Sequence, residues 1–245
     1  MEGPTHRKAG VACCLLGYCI LKSKGLLIEG TSPIAQVVVM YPFAIFGSVA
    51  PDMDHNEESN PCKDVVGVVI NKILHIQTPA RKAKEKLSGK KSPVKPFRIK
   101  DTFDARHRSW QTHSDLFLFI FLFILHNMLT TPQVSFDTLI WRMCLTGFVL
   151  GIVSHYIMDM MTTEGIWSII TCFINKLYKK VSKSKKSKGI LPEKIRIVPN
   201  SKFFCTDGPW EKITGKLLWV MSFILLIYVI LDASPYKITF DFLSN

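Results

Sequence analysis

The stretch LIWRMCLTGFVLGIVSHYIMDMM, residues 139–161, decides how the rest of the chain is interpreted. A helix needs about 20 mostly apolar residues to cross the hydrocarbon core of a bilayer, and this stretch is long enough. His155 and Asp159 near its end are four residues apart, so both side chains lie on one helix face and could hold a single ion. The stretch therefore predicts a membrane helix that carries metal-binding groups at one end.

Four more apolar stretches flank this one and set the fold class. Each is marginal as a span by itself, although short helices can stay in a membrane as part of a bundle; they are residues 10–21, 33–50, 116–129 and 217–231. A chain with 48% hydrophobic residues and 16 phenylalanines is neither disordered nor typical of a soluble enzyme. We expect an all-α polytopic membrane protein, a single domain over residues 1–245 with four to five membrane helices.

The charge distribution predicts which side each connection occupies. The chain has 31 Lys and Arg against 19 Asp and Glu. If all five stretches cross and the N-terminus is cytoplasmic, 27 of the 31 basic residues fall on the cytoplasmic side, as the positive-inside rule expects. The C-terminus then lies on the other side of the membrane. The seven cysteines form no CxxC pair, which disfavours a disulfide framework or a thiolate zinc site.

Two basic segments are predicted to be mobile cytoplasmic connections. Residues 56–106 form a basic insert, in which apolar residues at helical spacing over 65–74 predict an interfacial helix. Residues 176–200 form a second basic loop before the last membrane helix, 217–231. Neither basic run interleaves aromatic residues in the way that single-strand binders do, so we expect membrane lipids as partners and no nucleic acid.

Polar residues form four clusters that the predicted topology brings to one membrane face. They are Thr5-His6, residues 51–55 (PDMDH), residues 107–114 (HRSWQTHS) and residues 154–162. Imidazoles and carboxylates suit zinc, manganese or iron, and an ion would offset the cost of burying such groups near the bilayer. Of Asp52 and Asp54, one can bind metal while the other orients a histidine. His75 and His126 fall outside this pattern and are predicted to be structural.

Each cluster alone has a simpler interpretation. His6 could be a solvent-exposed terminal residue, PDMDH a polar helix stop, and Arg108 one more cytoplasmic charge. His155 and Asp159 could be a hydrogen-bonded pair that braces two helices. Four such coincidences on one membrane face are less economical than a single metal site, so the clusters together favour the metal site.

The order of these motifs resembles one bacterial family. T-H-x3-G from Thr5, P-D-x-D-H from Pro51, H-R…T-H-S from His107 and G-x2-S-H-x3-D-x2-T-x2-G from Gly151 resemble the LexA-regulated, inner-membrane metal-dependent hydrolase (YdjM) family. The resemblance extends from Thr5 to about Glu211. It implies a mostly helical membrane hydrolase, and it implies the metal ligands His6, Asp52, Asp54, His55, His107, His113, His155 and Asp159. The family is also distantly similar to zinc-dependent phospholipases C and P1-type nucleases.

Residues and resemblance together predict a function. We expect hydrolysis of a phosphoester, a phospholipid or lipid-linked phosphate, with more than one zinc ion (or manganese or iron). Asp52 or Asp54 would act as general base and Arg108 would bind the phosphate. Two alternatives stay open: a non-catalytic metal-binding membrane regulator, and an amide or peptide hydrolase that uses the same site. The oligomeric state is left open.

Overall fold

Helices make up most of the described chain. The computed structural model describes residues 3–54, 68–69, 72–73, 75–89, 112–130, 136–163, 165–181, 190–198, 203 and 208–233. The elements are α1 Gly3–Ser23, α2 Pro33–Val49, a 3₁₀ helix Ala50–Asp54, α3 Thr78–Ser88, α4 Asp115–Thr130, α5 Phe136–Met160, β1 Ile166–Trp167, α6 Ile169–Val181, β2 Lys194–Ile195 and α7 Pro209–Ala233. The two strands pair antiparallel, with Ile166 opposite Ile195. The predicted all-α class is confirmed.

Three of the described helices are long and apolar enough to cross a membrane. They are Pro33–Asp54, Leu139–Met160 and Pro209–Ala233. Helix α4 is shorter but equally apolar, and α1 packs against α2, α5 and α7. Five spans therefore stay a prediction. The last membrane helix was expected over 217–231 but begins at Pro209 and ends at Ala233, because polar residues such as Glu211 continue the helix beyond its apolar stretch.

Helices α2 and α5 approach each other closely through glycine. A Cβ on Gly147 would overlap the carbonyl oxygen of Met40, and one on Gly151 would overlap that of Ala44. Gly47 on α2 touches the backbone of α5 in the same way. Small residues are the means by which membrane helices bring their backbones together, because lipid offers no hydrophobic drive for association. The contact lies at the centre of the bundle, and the pairing of Gly147 with Met40 and of Gly151 with Ala44 shows that α2 and α5 run parallel.

Helices α1 and α7 run parallel to each other and opposite to α2. Their N-terminal turns meet where Ala9 packs near Trp210 and Leu218, and at the far end both Tyr18 and Lys22 bond the carboxylate of Asp232. The N-terminal ends of α1, α4 and α7 consequently lie beside the C-terminal ends of α2 and α5. This is the alternation that the predicted topology requires, although the orientation of the bundle in the membrane stays a prediction.

The basic segments contain helices that the charge pattern did not predict. Thr78–Ser88 is helical within the expected insert, and residues 176–181 end α6, so the prediction of a loop over 176–200 is wrong there and at Lys194–Ile195. Helix α6 is amphipathic, with apolar residues at helical spacing exposed along one face: Ile170, Phe173, Ile174 and Leu177. Of the predicted interfacial helix 65–74, only residues 68–69 and 72–73 are described, and these are helical.

Replacing Gly147 by alanine is expected to destabilise the bundle. The new Cβ would meet backbone, which cannot rotate away, and overpacking of this kind costs about 1–3 kcal/mol. We expect a lower thermal unfolding temperature for the detergent-purified variant. Gly215→Ala is the matched control, because there the nearest atoms lie 3.5–4.0 Å from the added carbon, an ordinary contact. Equal melting temperatures for both variants would contradict the glycine-dependent packing.

Candidate metal centre

Six of the predicted site residues lie together at one end of the bundle. His6 comes from the first turns of α1, Asp52 and Asp54 from the 3₁₀ helix after α2, and His113 immediately precedes α4. His155 and Asp159 come from the last turns of α5. Each of these residues is at most 4% exposed. The other predicted residues, His55, His107 and Arg108, lie outside the described residues.

The orientation of His155 is set by a backbone carbonyl. Its Nδ1 lies 2.8 Å from the carbonyl oxygen of Ser48 on α2. A carbonyl oxygen only accepts hydrogen bonds, so Nδ1 carries the ring hydrogen and donates it. In the neutral ring, Nε2 then has a lone pair, which is the form that binds a metal ion.

A hydroxyl group determines, in the same way, which nitrogen of the neutral His113 ring carries the hydrogen. Thr112 Oγ1 donates to Asp54 Oδ2 at 2.7 Å and lies 3.0 Å from His113 Nδ1. Because the single hydroxyl hydrogen goes to Asp54, Oγ1 accepts from Nδ1. Asp54 Oδ2 also lies 3.5 Å from Nδ1. The neutral imidazole therefore directs its Nε2 lone pair away from Asp54, toward His155.

Four potential ligand atoms converge between these two rings. His113 Nε2 lies 3.2 Å from His155 Nε2, 3.3 Å from Asp52 Oδ1 and 3.5 Å from Asp159 Oδ2. His155 Nε2 lies 3.8 Å and 3.4 Å from the same two oxygens. Tetrahedral zinc with bonds of about 2.0–2.2 Å holds its ligands about 3.3–3.6 Å apart. Each imidazole nitrogen therefore lies at or near the spacing of atoms that bind one divalent ion, both from the other nitrogen and from the two carboxylate oxygens.

Asp159 also faces a third imidazole. Its Oδ1 lies 3.6 Å from His6 Nε2, while Oδ2 faces the other two histidines. The His6 ring stacks on that of His155, with centroids 3.9 Å apart and planes 15° from parallel. Two overlapping groups could hold metal, one of His6, His155 and Asp159, the other of Asp52, His113 and His155. The Asp159 carboxylate thus lies between His6 and the convergent atoms.

The electrostatics of the centre favour a cation. Burial by itself would lower the pKa of His113, but the charge of Asp54, hydrogen bonds to Asp52 and Asp54, and the charge of Asp159 outweigh burial and raise that pKa to about 9. Without a metal ion, the carboxylates are therefore balanced in part by a proton on His113. A divalent ion would displace this proton, so binding releases it.

Several residues that support the centre were not predicted from the sequence, or were predicted only as members of a cluster. Thr112 belongs to the cluster at 107–114, and its position next to a histidine was the only signal of its role. Tyr156 donates to the carbonyl of Thr112, and Ser48 supplies only a backbone oxygen, which no sequence pattern reveals. His75, predicted to be structural, lies with Nε2 2.9 Å from the backbone oxygen of Asp54.

Asp115 is a further missed residue, and it joins the centre to the strands and α6. Its carboxylate accepts hydrogen bonds from the hydroxyl of Ser168 at 2.7 Å and from the backbone N–H of Ile169 at 2.8 Å. Trp167 N–H also donates to the carbonyl oxygen of His113 at 2.8 Å. The start of α6 is thereby held beside His113.

Comparison with known proteins gives one family. The YdjM inner membrane protein family matches residues 1–234. No curated protein and no solved structure matches the chain. The distant similarity to zinc-dependent phospholipases C and P1-type nucleases consequently stays a prediction.

Removing a convergent ligand atom is expected to remove metal. His155→Ala and Asp159→Asn should each lower zinc affinity about 10–100-fold or more, because the first loses a ligand nitrogen and the second loses the negative charge of the carboxylate. The measurement is bound metal per protein after gel filtration. His126→Ala is the control, since His126 is exposed on α4. Equal metal content in all three variants would reject the site.

Thr112 tests the orientation of His113 separately from the ligands. Thr112→Val keeps the shape but loses the hydroxyl that bridges Asp54 and His113, and we expect zinc affinity to fall about 10–100-fold. Thr112→Ser keeps the hydroxyl and should retain affinity. Competition with a chromophoric chelator measures both, and a serine variant as weak as the valine variant would contradict the role of the hydroxyl.

Proposed function

The chain belongs to the YdjM inner membrane protein family, and we propose that it is a metal-dependent hydrolase that acts on a phosphoester. The observation that carries this proposal is the position of Asp159, whose two oxygens face different imidazoles. A carboxylate between two ions is typical of sites that hold metals about 3.5–4 Å apart, as in phosphatases and nucleases. We assign zinc to the site, with manganese or iron as alternatives, and more than one ion.

The roles of the carboxylates follow from their contacts. Bound divalent ions would lower the pKa of a water molecule and neutralise charge on the phosphoryl oxygens. Asp54 accepts a hydrogen bond from Thr112 and faces Nδ1 of His113, so we assign to it the role of orienting that ring. Asp52 directs Oδ1 at the ring nitrogens, and we assign its other oxygen to accepting the proton of the attacking water.

Two predicted roles rest on residues outside the described part of the chain. Arg108 remains our candidate for binding the phosphate, because a guanidinium group can donate two parallel hydrogen bonds to phosphoryl oxygens. His55 and His107 remain candidate ligands for a further ion. They belong to the same sequence clusters as the carboxylates and His113, which supports placing them nearby.

The depth of the centre favours a lipid substrate. Helix α6 begins beside His113 through the contact of Ile169 with Asp115. Its exposed apolar face, together with the lysines in its second half, is typical of a helix that lies in the plane of the membrane interface. The centre would then lie at headgroup depth in the cytoplasmic leaflet, where a phospholipid or lipid-linked phosphate can reach it. Nearby Lys and Arg add about 1 kcal/mol each of attraction to anionic lipid.

A second candidate is a non-catalytic metal-binding regulator of the membrane. One observation favours it: four buried side chains supply ligand atoms around the two imidazole nitrogens, with N–N and N–O distances of 3.2–3.8 Å. Closed four-ligand sites are typical of structural metals, whereas catalytic ions keep one position for water. Amide or peptide hydrolysis, the third candidate, would need the same residues and differs only in substrate.

Turnover in lipid vesicles separates these candidates. Zinc-loaded full-length protein in anionic vesicles should release phosphorylated headgroup or phosphate, and Asp159→Asn should reduce the rate about 10–100-fold or more. His126→Ala, the matched control, should keep the rate. Hydrolysis of peptides without release from phosphoesters would favour the third candidate. Zinc-dependent stabilisation with no turnover of either substrate class would favour the regulator.

A further inference from the structure

A groove of about 360 Å³ lies between α1, α2 and α7, separate from the metal centre. Its walls are mostly apolar, and Leu15, Val37, Phe223 and Leu226 are among them. Trp219 also lines it, with most of its ring exposed. The volume is that of a small-ligand pocket, which is typically about 300–1,000 Å³.

The charge in this groove is confined to one end. Arg7 and Lys8 line it in the second turn of α1, whereas Leu15 lines it about 12 Å farther along the helix. The Lys8 ammonium group reaches across to α7, where it would lie 3.5 Å from a Cβ on Gly215. The groove is thus apolar along its length and cationic at the end nearer the metal centre.

We propose that this groove binds one acyl chain of an anionic phospholipid, with the lipid phosphate at Arg7 and Lys8. An acyl chain matches the apolar walls, and a phosphate matches two adjacent cations, one of which can bind it in a bidentate manner. Cationic side chains near the ends of membrane helices also extend toward the headgroup layer, where this phosphate lies. Charge complementarity therefore selects an anionic lipid over a zwitterionic one.

This lipid would support the packing of α7 and would take no part in a reaction at the metal centre. Only 22% of the apolar segment of α7 is buried within the protein, and this buried share is the lowest among the three long membrane helices. His6 points into the metal centre, whereas its neighbours Arg7 and Lys8 line the groove on another face of α1. A lipid in the groove fills the gap between α7 and the α1–α2 pair. The proposal holds whether or not the metal centre hydrolyses any substrate.

Fluorescence quenching of Trp219 tests the site. Full-length protein is reconstituted in zwitterionic vesicles with increasing fractions of phospholipids brominated on the acyl chain, either anionic or zwitterionic. The Trp219 signal is the difference between the unmodified protein and its Trp219→Phe variant. We expect the anionic lipid to quench Trp219 at a mole fraction about 10-fold lower than the zwitterionic lipid.

Three variants separate the groove from general attraction to the membrane. Arg7→Gln with Lys8→Gln should abolish the preference, whereas Lys212→Gln with Lys216→Gln removes the same charge from the start of α7 and should keep it. Ser222→Phe fills the groove, leaves all charges in place and should also abolish the preference. Equal quenching by both lipids, or loss of preference in the Lys212/Lys216 variant, would overturn the proposal. Zinc content of each variant reports whether it has folded.

Discussion

The close backbone contact between α2 and α5 is the constraint on which the centre depends. Gly147 and Gly151 let the two helices approach until the carbonyl of Ser48 reaches Nδ1 of His155. With larger residues at these positions, the carbonyl would lie too far away to hold the ring. Asp52 would be displaced with the end of α2. Packing inside the bundle thus determines the geometry of the metal-binding groups at its end.

It could be predicted from the sequence that the site residues lie together, but their geometry could not be predicted. Alternating helix directions bring His6, Asp52, His113 and Asp159 to one end once the apolar stretches are recognised as membrane helices. Ring orientation depends on a backbone oxygen and on the single hydroxyl hydrogen of Thr112, and neither has a periodic signal. The i, i+4 spacing gave the shared face of His155 and Asp159, but not the position of Asp159 beside His6.

The errors in the fold prediction have a common physical cause. The charge pattern identified the basic segments correctly, but it led to the prediction of loops there. Lysine is nevertheless a good helix former. In α6, apolar residues recur at helical spacing among the lysines, and this periodicity is more informative than the net charge. The early start of α7 has a similar origin, because Pro209 and Glu211 suit the first turn of a helix although neither is apolar.

The bonds of Asp232 with Tyr18 and Lys22 join the first and the last of the described helices, so they form late in the synthesis of the chain. The ribosome makes α1 first and α7 last among the described helices. At about 5–20 residues per second, α1 waits roughly 10 to 40 seconds for this partner. Until then Lys22, exposed in the last turn of α1, has no Asp232 carboxylate to pair with, and α1 gains this contact only when α7 has been made. Biogenesis of the bundle is therefore completed by its last helix.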